Sequence, residues 1–372
     1  FFPLIISYFE INVPYYPFFV LAIFINFFES TSIVPLNLYR VKEDAKGFLK
    51  LNLSKTIMQF VFVYVFVVSL EGGLEGSLIA RLLINIPYFF IYFLITKNNS
   101  ILRINFKYIR QGLRFSLPLL PGAISFLLIT LSDRIIMERY ISLNQLGIFS
   151  VAATLSFVLN IVIQSLYKSF EPIIFKEFLN DNFQSTNTNL FRIYLFFLFV
   201  GGFGISIFSK ELFQLFTSEA FLSGYRAVPL LIVSVIFSGI NTYYSILLIA
   251  SKKTIIISSV FMLTAIINVM MNFILIPLFG YYGAIYASII SFFITNLIFQ
   301  HNIFIHNKYL FCQFILIILV ISIPNIFDLC VNTSIVMSIA SKIILCLIFI
   351  VISFLLLEIN IGSVKNYFRI NK

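Results

Sequence analysis

The chain has 372 residues, of which 60% are hydrophobic and only 11% charged, and its mean hydropathy is +1.03. A water-soluble domain needs a polar shell that this composition does not supply. The 25 Lys and Arg exceed the 15 Asp and Glu by a net charge of +10, which in so apolar a chain points to membrane orientation and not to nucleic acid. Charge must therefore sit in short segments between apolar runs of about 20 residues, the length that crosses a bilayer.

Taken in chain order, Phe1–Phe9 is apolar but ends at Glu10, too short to span. It reads as the tail of a helix that starts upstream. It lacks the basic start and small-residue cleavage site of a signal peptide. Helices are predicted over 16–38, 52–70, 76–96, 115–140, 146–168, 191–209, 227–250, 254–277, 282–300, 309–326 and 336–357. Lipid satisfies no backbone hydrogen bond, and no alternating ten-residue barrel pattern appears, so the chain is expected to be an all-α polytopic membrane protein. The polar run Asp-Asn-Phe-Gln-Ser-Thr-Asn-Thr-Asn at 181–189 reads as a solvated loop. Cys312, Cys330 and Cys346 have no metal-like spacing and read as apolar filler, and His301 and His306 as part of a headgroup-facing connector. No metal and no other cofactor is expected.

Charge counting orients the chain. One set of alternate connectors holds Arg40, Lys42, Lys46, Lys50, Lys55, Lys97, Arg103, Lys107, Arg110 and Arg114. The same set continues with Lys168, Lys176, Arg192, Lys252, Lys253, Lys308, Lys365, Arg369 and Lys372, nineteen in all. The opposite connectors and adjoining helix ends hold Arg134, Arg139, Lys210, Arg226 and Lys342, and Arg81 falls inside a span. The excess places the first set and the C-terminus in the cytoplasm.

An internal repeat follows from spacing. Gly73-Leu-Glu-Gly76-Ser-Leu-Ile-Ala80 recurs as Gly280-Tyr-Tyr-Gly283-Ala-Ile-Tyr-Ala287, with the three shared positions offset by 207 residues. Small residues at such turns let helices approach closely. Six helices separate the copies, so both point the same way through the bilayer and imply two parallel lobes. The expected architecture is two pseudo-symmetric six-helix lobes around a central cavity, plus a C-terminal helix pair. By the same offset, the first two to three helices of the first lobe belong upstream of residue 1. The expected divisions are 1–100 for the rest of the first lobe, 101–114 for a cytoplasmic linker, 115–306 for the second lobe, and 307–372 for the extra pair and basic tail.

Several motifs in order carry a resemblance. Phe115-Ser-Leu-Pro-Leu-Leu-Pro-Gly, Leu131-Ser-Asp-Arg-Ile-Ile-Met and Leu146-Gly-Ile-Phe-Ser-Val-Ala resemble the start of the second lobe of the polysaccharide flippases. Asn268-Val-Met-Met-Asn272-Phe-Ile-Leu-Ile-Pro277-Leu-Phe-Gly-Tyr-Tyr-Gly283-Ala is similar to a later part of the same lobe. These are the O-antigen and capsular repeat-unit flippases of the multidrug/oligosaccharidyl-lipid/polysaccharide exporter superfamily. The resemblance implies an inner-membrane transporter that works by alternating access on undecaprenyl-diphosphate-linked oligosaccharide, and it is clearest over 16–300. Its implied partners are that lipid-linked oligosaccharide, membrane lipids and polysaccharide polymerase machinery, with no nucleic acid.

Ionisable groups inside spans cost roughly 2.5–3.5 kcal/mol each on insertion scales unless they face water or a partner. Arg81, Asp133, Arg134, Glu29 and Lys168 stand in such places. Lys168 can snorkel to headgroups, and Arg134 can pair with Glu138 four residues on. Arg81 and Arg134, expected to face one central cavity, suit a diphosphate, because the guanidinium fork binds phosphate bidentately and never loses its charge. Asn26, Asn85, Asn160, Gln164, Asn241, Asn268 and Asn272 are placed to bond sugar hydroxyls, or equally one another across helices. The expected substrate set is Arg81, Arg134, Asp133, Asn85, Gln164 and Asn268. Glu29 and Asp133 are candidates for ion coupling, with burial raising affinity for a proton.

Three other functions compete on the same residues. A drug or cation exporter of like architecture needs an acidic, aromatic-lined cavity, against which the two arginines argue. A membrane glycosyltransferase, polymerase or ligase needs a sizeable extramembrane segment. The longest outward connector, about 210–226, is short, and no nucleotide-binding motif appears. The last is a non-transporting partner in glycan assembly.

Overall fold

The computed structural model describes residues 15–42, 44–99, 105–117, 120–178, 183–303, 310–330 and 335–359. The apolar start at 1–9, His306 and the basic tail lie outside the described residues. All regular elements among the described residues are helical, and ten helices there are long and apolar enough to cross a membrane. The chain is an all-α multi-pass membrane protein. It divides into two compact units, Phe1–Lys107 and Tyr108–Lys372.

Unit 1 holds α1 (Val20–Ser30), α2 (Ile33–Val41), α3 (Ala45–Tyr64) and α4 (Gly73–Asn98). The single predicted helix over 16–38 is interrupted at Thr31-Ser32. Pro35 lacks the N–H that would bond the Thr31 carbonyl, while Ser30 and Thr31 donate back to the carbonyls of Phe27 and Phe28 at 2.8 and 2.6 Å. α3 starts seven residues before the predicted 52. The Asp44 side chain accepts from the Gly47 N–H at 2.9 Å and caps the helix, so Lys46, Lys50 and Lys55 lie on it and not in a connector. A π turn at Val65–Ser69 prolongs α3.

The α3–α4 turn is built on two glycines. Gly73 has φ +52°, a left-handed value that suits a residue without Cβ. At Gly76 a Cβ would lie 2.7 Å from the Phe66 carbonyl oxygen, so only glycine allows the return helix to pass so close. Beyond it α4 buries Ala80, Ile84, Tyr88 and Tyr92, one ridge at spacing four, against Leu51 and Phe62.

α5 (Phe106–Ser116) runs across the boundary between the units, and unit 2 continues with α6 (Leu120–Tyr140), α7 (Leu143–Phe157), α8 (Leu159–Glu177), α9 (Phe183–Ile207) and α10 (Ser209–Phe216). A 3₁₀ turn (Glu219–Ala227) leads to α11 (Val228–Ala250), α12 (Thr254–Phe279), α13 (Tyr281–Ile303), α14 (Leu310–Cys330) and α15 (Ile335–Leu356). Its core lies on α9 and α11, where Tyr194, Leu198, Phe199, Ile240, Tyr243 and Tyr244 are almost fully buried.

The described part of 181–189 corrects the loop reading. From Phe183 onward it is the first turns of α9, with Thr186 and Asn187 buried. The reason is a tertiary partner: the Tyr243 hydroxyl donates to Asn187 Oδ1 at 2.7 Å, which lets a polar residue enter the core. The connector expected to face outward, about 210–226, is built as α10 and the 3₁₀ turn. Gly224 there comes so close that a Cβ would lie 2.9 Å from Phe213 and 3.1 Å from the Ile148 carbonyl oxygen. Glu211 of α10 accepts from Lys342 of α15 at 2.8 and 2.9 Å, which ties that connector to α15.

Candidate functional site

The site grows from one face of α6. Ile129, Ser132, Asp133, Ile136 and Met137 are its buried stripe, at the three- and four-residue spacing of one helix side. α12 packs along this stripe, with Gly122 of α6 against Ser258 of α12 at a close approach. The meeting is polar at its centre. Asn272 Nδ2 donates to Asp133 Oδ1 at 2.5 Å and to Asn268 Oδ1 at 3.1 Å. Ser132 donates to Asn268 Oδ1 at 3.3 Å. Asn268 Nδ2 in turn reaches Ser288 and Ser291 of α13 at 3.4 and 3.3 Å. Thr264 and Thr295 hydrogen-bond one turn away on the same two helices. Asn268 and Asn272 are fully buried, and Asn272 Oδ1 is a buried acceptor without a donor among the described residues.

A cavity of about 360 Å³ opens beside this network. Asp133 and Arg134 of α6, Asn160 of α8, Ser234 and Ser238 of α11 and Ser288 of α13 supply much of its polar lining. Phe149, Phe157 and Phe292 supply aromatic walls. All of the lining belongs to unit 2. Its volume falls within the range of sites that hold small molecules or their head groups. Arg134 is exposed, and no ion pair or hydrogen bond to a described residue holds its guanidinium. The pairing with Glu138 allowed by spacing is therefore not formed. An arginine inside a span that no ion pair to a described residue holds carries a cost that a bound anion would offset.

The other expected residues stand elsewhere. Gln164, one turn beyond Asn160, is exposed on α8 and outside the lining. Arg81 is exposed on α4, and Asn85 is buried on the same helix. Both belong to unit 1. Glu29 is half exposed and pairs with Lys55 at 3.6 Å, although Lys55 itself is buried, its ammonium also 5.8 Å from the Tyr92 ring. Sequence reasoning counted Lys55 as a connector charge and so missed it. A lone acid in an apolar helix, Glu29, was the signal that a cation must be near. The serines of the network were missed as well, because single serines in apolar helices are common and bond their own i−4 carbonyls.

Comparisons with known proteins bear on the family and the fold. A family described as polysaccharide biosynthesis protein matches residues 1–224. The Lsg locus putative protein 1 of Haemophilus influenzae is 26% identical over 155 residues, 40% of this chain and 39% of that protein. The match thus spans about two fifths of that relative's length. Among solved structures, the lipid II flippase MurJ in its inward closed conformation aligns with a TM-score of 0.65 at 17% identity, covering 85% of this chain and 70% of that one. A MATE protein in the straight conformation aligns at 0.54 with 14% identity over 73% of this chain and 65% of its own. A point mutant of the Vibrio cholerae MATE transporter VcmN aligns at 0.52, with 16% identity over 74% and 67%. A match over more than half of the chain, on a fold shared with these transporters, makes it a member of the polysaccharide biosynthesis protein family.

Proposed function

We propose that the protein is a transporter that moves undecaprenyl-diphosphate-linked oligosaccharide repeat units from the inner to the outer leaflet of the bacterial inner membrane, for O-antigen or capsular polysaccharide. The observation that carries this reading is Arg134, an arginine with no ion pair among the described residues, on the wall of a cavity inside an apolar helical unit. Its planar fork grips the diphosphate, while Asn160, Ser234 and Ser238 bond sugar hydroxyls and the polyprenyl tail stays in lipid. Arg81 of unit 1 is proposed as a second phosphate contact, with Asn85 and Gln164 as sugar contacts. Asn268 acts through Asp133, holding Asn272 against its carboxylate. Asp133 carries the coupling proton or cation, supported by its burial and by the Asn272 Oδ1 beside it, which has no donor among the described residues. Glu29, already paired with Lys55, is the weaker candidate for that role. The chain performs no covalent step, its C-terminus is cytoplasmic, and a polysaccharide polymerase takes its product.

The drug or cation exporter reading draws on Asp133, the three phenylalanines and the MATE-like fold. Arg134 on the same wall and the family membership favour an anionic glycolipid. Surface glycan in cells that depend on the intact protein tests the choice. Each charge-assisted bond is worth about 1.5–3 kcal/mol, so Arg134→Ala should lower export at least about tenfold with normal insertion. Arg134→Lys should recover only part of it. Arg134→Ala with Glu138→Ala should stay inactive, and restored export in that double variant would reduce Arg134 to a charge partner of Glu138.

A further inference from the structure

Helix α5 carries chemistry that the cavity does not use. Every side chain described from Phe106 to Arg114 is exposed, with Phe106 at 79%, Ile109 at 47% and Leu113 at 51%. Gly112 at its middle has open space where a Cβ would stand. At 3.6 residues per turn, Phe106, Ile109 and Leu113 share an arc of about 60°, and Lys107, Arg110 and Arg114 share a second arc of similar width beside it. Leu117 continues the apolar arc and is 57% exposed. Such a segment would gain little from water alone, because its apolar arc has no cover there.

Its place in the chain supplies the cover. α4 and α6 are both long and apolar enough to cross the membrane. Only the residues between Ser116 and Leu120 separate α5 from the second of them. At about 3.5 Å per residue that tether keeps its end within roughly 15 Å of the span. An amphipathic helix held at that depth lies in the interface with its apolar side toward the acyl chains. Three fixed positive charges beside that side meet headgroup phosphates, and arginine and lysine stems reach them without leaving the apolar layer.

We propose that α5 is an interfacial helix that binds anionic phospholipid, with Phe106, Ile109 and Leu113 among the acyl chains and Lys107, Arg110 and Arg114 on the phosphates. The occupant is lipid and not a protein partner, because the exposed face pairs a narrow apolar arc with charge of one sign. This is independent of the glycolipid reading above.

The test uses the intact protein in nanodiscs of phosphatidylcholine, alone or mixed with phosphatidylglycerol, with Cys312, Cys330 and Cys346 replaced by alanine. A polarity-sensitive dye on Leu113→Cys should report an apolar setting, and one on Gln111→Cys, on the other side of the helix, a wet one. Quenching of the Leu113→Cys dye by spin-labelled phosphatidylglycerol should exceed quenching by labelled phosphatidylcholine. That preference should fall by roughly fivefold for each basic residue changed to glutamine at 107, 110 and 114. Arg110→Lys with Arg114→Lys should keep most of it, which separates loss of charge from loss of structure. A wet setting at Leu113→Cys would overturn the proposal and leave the face to a protein partner. A phosphatidylglycerol preference that survives the triple change would overturn it too.

Discussion

Helices α4 and α13 belong to different units, yet each leaves its turn by the same device. Gly73 and Gly280 take φ values of +52° and +59°. Gly76 and Gly283 follow, where a Cβ would meet the carbonyl oxygens of Phe66 and Leu275, and Ala80 and Ala287 are fully buried. The ridge continues in register, with Ile84, Tyr88 and Tyr92 buried in α4 and Ser291, Thr295 and Phe299 buried at the offset positions in α13. What differs is the filling. The α13 ridge meets the amide of Asn268 and the hydroxyl of Thr264, whereas the α4 ridge packs two tyrosines against Leu51 and Phe62, with Lys55 above Tyr92. Arg81 of α4 is exposed, and its counterpart Ser288 is buried beside the cavity. Small residues thus set the frame of each hairpin, while the residues between them are free to specialise.

The largest effect should come from the second glycine of each copy. Gly283→Ala would set a Cβ 2.2 Å from the Leu275 oxygen, against 2.7 Å from Phe66 for Gly76→Ala. Backbone cannot yield as a flexible side chain does, so Gly283→Ala should cost about 3 kcal/mol, the upper part of the overpacking range, and Gly76→Ala less. Thermal unfolding of the detergent-solubilised protein checks the order, and a reversed order breaks the comparison.

Asn268→Leu comes next. It strips partners from Ser132, Asn272, Ser288 and Ser291 together, and leaving such groups buried costs about 1–3 kcal/mol. Tyr88→Phe in unit 1 removes a single bond, to Ser54 at 2.8 Å, worth about 0.5–1.5 kcal/mol. Paired melts of the two variants sharpen the contrast between a networked hairpin and an aromatic one. Equal losses would show that the amide network stabilises no more than one tyrosine bond.

The first glycines should give the smallest and most even losses. Gly73 has nothing within 4 Å of a built Cβ and Gly280 only Ile141 at 3.8 Å, so alanine meets the left-handed backbone cost alone. Each change should lower stability by about 1–2 kcal/mol. Losses that differ by more than about 1 kcal/mol between the copies would mean that the turns are not equivalent.

The existence of the helices was legible because lipid leaves the backbone no other choice, and the two glycine turns were legible because small residues at equal spacing survive any side-chain specialisation. Boundaries failed where one partner decided them. Asp44 caps α3 ahead of its charged first turns, and Tyr243, far along the chain, admits Asn187 to a helix. The charged part of the site showed as Asp133 and Arg134 in an apolar run. Its neutral part did not, since knowing that Asn268 meets Ser288 and Ser291 requires knowing which helix faces touch. Glu29 announced a missing cation, but Lys55 lies on α3, a different helix, and one helix's periodicity does not report its partner's.

The central claim is that the unit 2 cavity holds the diphosphate through Arg134, and crosslinking in cells tests it most directly. A diazirine amino acid in place of Ser238, on the cavity wall, should crosslink to lipid-linked oligosaccharide, while one in place of Leu215, exposed on α10, should not. Adding Arg134→Gln to the Ser238 probe should remove most of that crosslink with protein level unchanged. A Ser238 probe that never captures the glycolipid, or captures it equally well without Arg134, would contradict the account.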